Sequence, residues 1–72
     1  MIEYTEIELT NLIISTQQGA DAWCEEYVGM YGRDETGKIE HWAVRYGPDY
    51  GDRTYIFARE QDAVMFALKW AR

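Results

Sequence analysis

Few residues in this chain could do covalent chemistry. The single histidine, His41, lies between Glu40 and Trp42. No Ser or Cys stands at a spacing that would make it the base of a nucleophilic pair. It reads as a sheet-face histidine with a hydrogen-bonded partner. The single cysteine, Cys24, precedes Glu25 and Glu26, whose charges raise a thiol pKa where a nucleophile needs it lowered. It reads as a small buried hydrophobe. One histidine and one cysteine cannot build a Cys/His zinc site, which takes four ligands or three and a water. Gly47-Pro48-Asp49-Tyr50-Gly51-Asp52 offers oxygen donors for Ca²⁺, but it lacks the spaced carboxylates and closing Glu of an EF-hand and reads as a tight turn. Gly29 and Gly32 do not form a phosphate loop, because no glycine-rich run leads from a strand into a helix with a Lys. Glu25-Glu26 is a chance pair among thirteen acids rather than a glycosidase pair. The expectation is therefore no catalytic residue, no metal and no cofactor.

The residues that remain conspicuous are aromatic and acidic. Aromatics make up 15% of the chain, and Trp23, Tyr27, Tyr31, Trp42, Tyr46, Tyr50 and Tyr55 exceed what one thin core must hold. Part of the set belongs to the core, and the rest suits a protein-binding patch, since Tyr and Trp dominate interface hot spots. Residues 1–36 carry eight acids (Glu3, Glu6, Glu8, Asp21, Glu25, Glu26, Asp34, Glu35) against Arg33, a net of −7. Residues 37–72 carry five acids and six bases, a net of +1, which gives −6 for the chain. Phosphate backbones repel such a domain, so direct nucleic-acid binding is not expected. Basic protein surfaces attract it, and the field would speed the encounter. An RNA-stacking sheet would need bases where this chain has acids. The residues expected to meet a partner are Glu25, Glu26, Tyr27, Tyr31, Asp34 and Glu35.

These residues need a scaffold, and 72 residues allow one domain, 1–72. A chain this short buries only roughly 60% of its unfolded surface, so large aromatics or self-association must make up the core. A lone cysteine gives no internal disulfide. No apolar run approaches the roughly 20 residues of a membrane span, and no Lys or Arg precedes position 33, unlike a signal peptide. A cytoplasmic setting is the default, and a membrane partner is not expected.

Glycine-rich punctuation at 17–19, 32–37 and 47–52 cuts the chain into four segments. Ile2 to Thr16 is ambiguous. Its β-branched residues and the shared parity of Ile7, Leu9 and Ile13 favour a strand. A capping box of Thr5 with Glu8, and Gly19 at a C′ position, would instead suit a helix. Alternation predicts a hairpin of Trp23–Tyr31 with Ile39–Tyr46, joined by a turn in which Asp34 opens and Gly37 takes a left-handed conformation. Trp42, Val44 and Tyr46 fall on one side, and Ile39, His41, Ala43 and Arg45 on the other. A short strand over Arg53–Ala58 follows, with Tyr55 and Phe57 opposite Ile56, and then a helix from Glu60 to Ala71. Ala63, Phe66, Ala67, Trp70 and Ala71 form that helix's apolar stripe, flanked by Val64. Gln61, Asp62, Lys69 and Arg72 fall opposite, and the acids near its start and bases near its end suit the helix dipole. The assembly predicted is α+β: an antiparallel meander of three to four strands with the C-terminal helix on one face, the other face open unless the first segment or a partner covers it. The alternative is αβββα, with an N-terminal helix replacing the first strand.

The passage Thr54-Tyr55-Ile56-Phe57-Ala58-Arg59-Glu60-Gln61-Asp62-Ala63-Val64-Met65-Phe66-Ala67-Leu68-Lys69-Trp70 resembles the C-terminal end of many small proteins encoded by tailed bacteriophages, where an aromatic strand runs into an acidic turn and an Asp-Ala helix. It covers about a quarter of the chain. Size and acidity are similar to those of phage anti-defence proteins, including anti-CRISPR and DNA-mimic inhibitors, a functional class with many folds. The resemblance implies a non-enzymatic viral protein acting in the host cytoplasm as an inhibitor or modulator of a host protein with a basic surface. The alternative is an assembly module, homodimeric or part of a larger complex, in which the acidic half of one copy meets the basic half of another.

Overall fold

The computed structural model describes residues 3–71. The element order is β1 (Thr5–Leu9), α1 (Ile14–Tyr27), β2 (Trp42–Tyr46), β3 (Arg53–Phe57) and α2 (Glu60–Trp70). The three strands form one antiparallel sheet in the order β1-β3-β2. None of the described helices is long and apolar enough to cross a membrane.

The central strand is the most β-prone stretch of the chain, Arg53-Thr-Tyr-Ile-Phe, and four of its five residues are buried. Its register aligns Tyr55 with Ile7 on one side and Val44 on the other, and Phe57 with Thr5 and Trp42. These odd positions of β3 face both helices. The resulting core joins Tyr55 and Phe57 to Trp42 and Leu9, to Ala20 and Cys24 of α1, and to Ala63 and Phe66 of α2. Phe66 sits among the rings of Trp23, Tyr55 and Phe57 at centroid distances of 5.9, 4.6 and 5.1 Å, contacts worth about 0.5–1.5 kcal/mol each beyond the area they bury. The opposite sheet face is partly covered from the first segment. Ile56, Ala43 and Ile39 form a smaller cluster there with Tyr4, whose hydroxyl accepts the Ile39 amide at 3.0 Å.

The α+β class, the antiparallel sheet and the C-terminal helix agree with the sequence, as do the faces of β2 and β3. Five expectations are corrected. The strand predicted over Trp23–Tyr31 is the second half of α1 and the turn after it, and only Tyr31 makes an isolated parallel bridge, to Trp42. The hairpin therefore forms between β2 and β3, closed by the Gly47 amide on the Asp52 carbonyl at 2.9 Å. The sheet is not a meander, because β1 joins the far side of β3. The N-terminal segment divides its two readings between them, strand over Thr5–Leu9 and helix from Ile14, so neither the αβββα alternative nor a helix ending at Gly19 holds. The turn predicted at 34–37 is present, with the Gly37 amide on the Asp34 carbonyl at 3.0 Å and φ +85° at Gly37. Asp62, expected on the polar face of α2, is buried. Its carboxylate takes a hydrogen bond from Arg59 Nε at 3.2 Å within the first helical turn, where the dipole favours an anion. Ile2 and Arg72 lie outside the described residues.

Candidate functional site

The corner where α1 gives way to the sheet carries the most exposed apolar side chains near free acids. The Val28 and Gly29 amides both donate to the Cys24 carbonyl, at 2.8 and 3.0 Å, and close the helix. Gly29 then turns the chain at φ +148°, a conformation that L side chains rarely adopt. Its carbonyl accepts the indole N–H of buried Trp42 at 2.8 Å, which ties the corner to the sheet. Three residues on, the Gly32 amide donates to the Trp42 carbonyl at 3.0 Å. Met30 and Tyr31 are held between these two anchors. Met30 is 80% exposed, and Tyr31 is half-exposed with its ring 4.9 Å from that of Trp42.

Tyr46, 67% exposed, completes a ridge from the end of β2. Between it and Tyr31 lies a hollow of about 150 Å³ whose wall includes Asp21, Glu25, Trp42 and Val44. A second hollow, about 350 Å³, lies between Glu25, Gly29, Met30 and Tyr31. Glu25 borders both, and no cation among the described residues pairs with it.

Behind the ridge is a cluster that fixes α1 to β3. Asp21 accepts Arg53 Nη1 on both oxygens, at 3.0 and 2.9 Å, and the Tyr55 hydroxyl at 2.8 Å. The guanidinium lies 5.1 Å from the centroid of the Tyr46 ring, which seats that ridge residue. Burial raises the Tyr55 hydroxyl pKa. Arg53 loses some basicity to burial, but its bonds to Asp21 and Tyr55 outweigh this and hold it charged. The Cys24 thiol, beneath this helix face, is pushed up to about 12 by burial and then by Asp21, Asp62 and Glu25. It is a protonated, buried side chain. His41 is half-buried beside Gly29. No group of three or more His, Cys, Asp or Glu among the described residues is placed to hold a metal.

Of the six residues expected at a partner site, the structure brings Glu25 and Tyr31 together. Glu26 and Tyr27 are exposed on the last turn of α1, Tyr27 against Trp23 at 5.3 Å, and neither lines the two hollows beside Glu25. Asp34 and Glu35 lie in the 34–37 turn. There the Asp34 carboxylate accepts the Thr36 hydroxyl and the Thr36 and Lys38 amides at 2.6, 2.8 and 3.0 Å, which lowers its pKa. Glu35 is exposed. Met30 and Tyr46 belong to the ridge and Asp21 to the wall of its hollow, and none of the three is among the six residues expected at the site. Tyr46 does belong to the conspicuous aromatic set and shares a face with Trp42, whereas nothing in the sequence marks Met30 or Asp21 as site residues. The aromatic set divides as expected, with Trp42 and Tyr55 buried and Tyr27, Tyr31, Tyr46 and Tyr50 exposed. Two of the ion pairs, Arg45–Glu6 and Arg53–Asp21, join the basic half to the acidic half within one chain.

No protein-family model matches this chain, and no curated protein or solved structure matches it.

Proposed function

We propose that this protein is a non-enzymatic binding module whose Met30–Tyr31–Tyr46 ridge docks a protein with a basic surface. The carrying observation is the juxtaposition of three exposed, anchored side chains with Glu25, which has no ion-pair partner among the described residues. Tyr and Met are enriched at interface cores; Tyr supplies contact area for little lost freedom, and the flexible Met adapts to the surface it meets. Glu25, with Glu26 and Glu35, which also have no ion-pair partners among the described residues, would steer a cationic groove to the ridge. In its sharper form the reading is of an inhibitor, acting in the cytoplasm of a host cell. A groove that normally holds nucleic acid would take up this acidic domain, and the two would compete.

The test is capture of partners by tagged protein from lysate of its source, or of the host if the source is viral, eluted in rising salt and repeated with two variants. Tyr31→Ser with Met30→Ser should weaken the captured complex by at least about tenfold at all salt concentrations. Glu25→Lys with Glu26→Lys should weaken it at low salt and flatten its salt dependence. Affinity and salt response unchanged in both variants would refute the reading.

A further inference from the structure

Both helices pack on one face of the sheet. Strands lie about 4.8 Å apart and packed helices about 10 Å, so two helices cover the width of roughly four strands. This sheet has three. The surplus lies at β1, since α2 rests on β1 and β3. An apolar groove of about 430 Å³ runs between the strand and the helix, with Thr5 and Ile7 on one wall and Ala63, Val64, Ala67 and Leu68 on the other. It extends from Glu60 to Ala71, the whole length of α2. Eleven helical residues span about 16 Å, close to the length of a five-residue strand. No described strand pairs with the outer edge of β1. At the other edge of the sheet, Tyr31 and Gly32 cover Trp42.

Charge selects the occupant. Glu6 and Glu8 point to the face opposite the groove, on either side of Ile7. Two copies of β1 paired antiparallel, with their helices on one face, bring Glu6 or Glu8 opposite another glutamate in every central register, which is unfavourable. Arg45 pairs with Glu6 at 2.8 Å, and Glu8 has no ion-pair partner among the described residues. We propose that the outer edge of β1, with its groove, takes an extended segment of a partner protein as a fourth strand. The segment's alternate side chains are apolar toward α2 and Lys or Arg beside Glu6 and Glu8. The main chain gives the hydrogen bonds, the groove takes the apolar side chains, and the glutamates set the charge pattern. The site is separate from the ridge and does not depend on it.

The test uses isotope-labelled full-length protein titrated by nuclear magnetic resonance with three synthetic heptapeptides: alternating Lys/Val, alternating Glu/Val, and Lys/Val in scrambled order. The alternating Lys/Val peptide should shift the amides of Thr5–Leu9 and of Val64 to Leu68, and slow hydrogen exchange in β1. The other two should bind more weakly, and Met30 and Tyr31 should not move. Val64→Glu, at a half-exposed position, should abolish the response while the spectrum stays folded. Glu8→Lys turns one cross-strand pair from attractive to repulsive and should weaken the Lys/Val peptide by roughly 2- to 25-fold. The proposal is overturned by an equal response to all three peptides, by no response at β1, or by shifts confined to the ridge, which would leave the ridge reading standing alone. Protection of β1 that grows with protein concentration in the absence of peptide would also overturn it, in favour of a second copy.

Discussion

Replacing Asp21 with alanine tests what fastens α1 to the sheet. The carboxylate is 37% exposed and Arg53 12%, while Tyr55 is fully buried. Alanine leaves a mostly buried guanidinium without its counter-charge and a buried hydroxyl without its acceptor. The full loss of a buried ion pair runs to about 3–5 kcal/mol and that of an exposed one to about 0–1. Water can reach part of this carboxylate, so the expected loss is about 2–3 kcal/mol. A 72-residue domain has about 4–11 kcal/mol in all, so this is a large fraction. Thermal unfolding should fall by roughly 10–20 °C, read by circular dichroism and checked by urea titration. Asp21→Asn keeps an acceptor for Tyr55 but not the charge, and should fall between. In the background of Arg53→Met the cost of Asp21→Ala should shrink, because the stranded cation is gone. A melting temperature within about 3 °C of the parent for Asp21→Ala, or the same loss with Arg53 absent, would refute this account of the cluster.

Two other substitutions or treatments probe the corner and the core. Gly29→Ala puts a Cβ 2.5 Å from His41 Cγ at φ +148° and should cost about 2–4 kcal/mol in urea unfolding; in a His41→Ala background only the backbone strain, about 1–2 kcal/mol, should remain, and an additive loss would refute the clash. Cys24 has its pKa raised from 9.0 to about 12, so the stability this group contributes is complete below pH 9 and is lost as pH rises toward 12. Tyr55, also raised, adds a loss that begins above about pH 10, the ordinary value of its hydroxyl. Urea midpoints should decline over that range, and iodoacetamide at pH 8 should label Cys24 only as fast as the protein opens; labelling at the rate of a free thiol would sink the prediction.

The elements that were legible are those whose local signals agree with each other. β3 and α2 combine strong propensity, clean faces and charges at the correct helix ends. The Asp34–Gly37 turn is written in its own side chains. α1 has none of these aids. Its N-cap, Ile13, makes no side-chain bond, its first turn has no acid and its last no base, and β-branched Thr16 and a central Gly19 lower its propensity. Trp23 and Tyr27 fit a spacing of two as well as four, and Tyr31 extended the false alternation. The helix is decided by tertiary contact. Ala20 and Cys24 are fully buried in the core, and Gly19 lets the Trp70 ring approach to where a Cβ would be 3.1 Å away. The candidate site was half legible for the same reason. Glu25 and Tyr31 are neighbours in sequence, but Tyr46 reaches them only once β2 is placed.

The strand order also has a consequence for how the chain comes to be folded. β1 and β2 do not pair through their backbones, and each finds its partner strand only in β3, so Thr5 must wait for Phe57, fifty-two residues later. No two-stranded sheet is available while the first forty residues alone emerge from a ribosome, and such long-range closure slows folding. During that wait β1 is a nascent hydrophobic alternation with nothing to pair with. Glu6 and Glu8, interleaved with Thr5, Ile7 and Leu9, then act as gatekeepers that keep one nascent chain from adding to another.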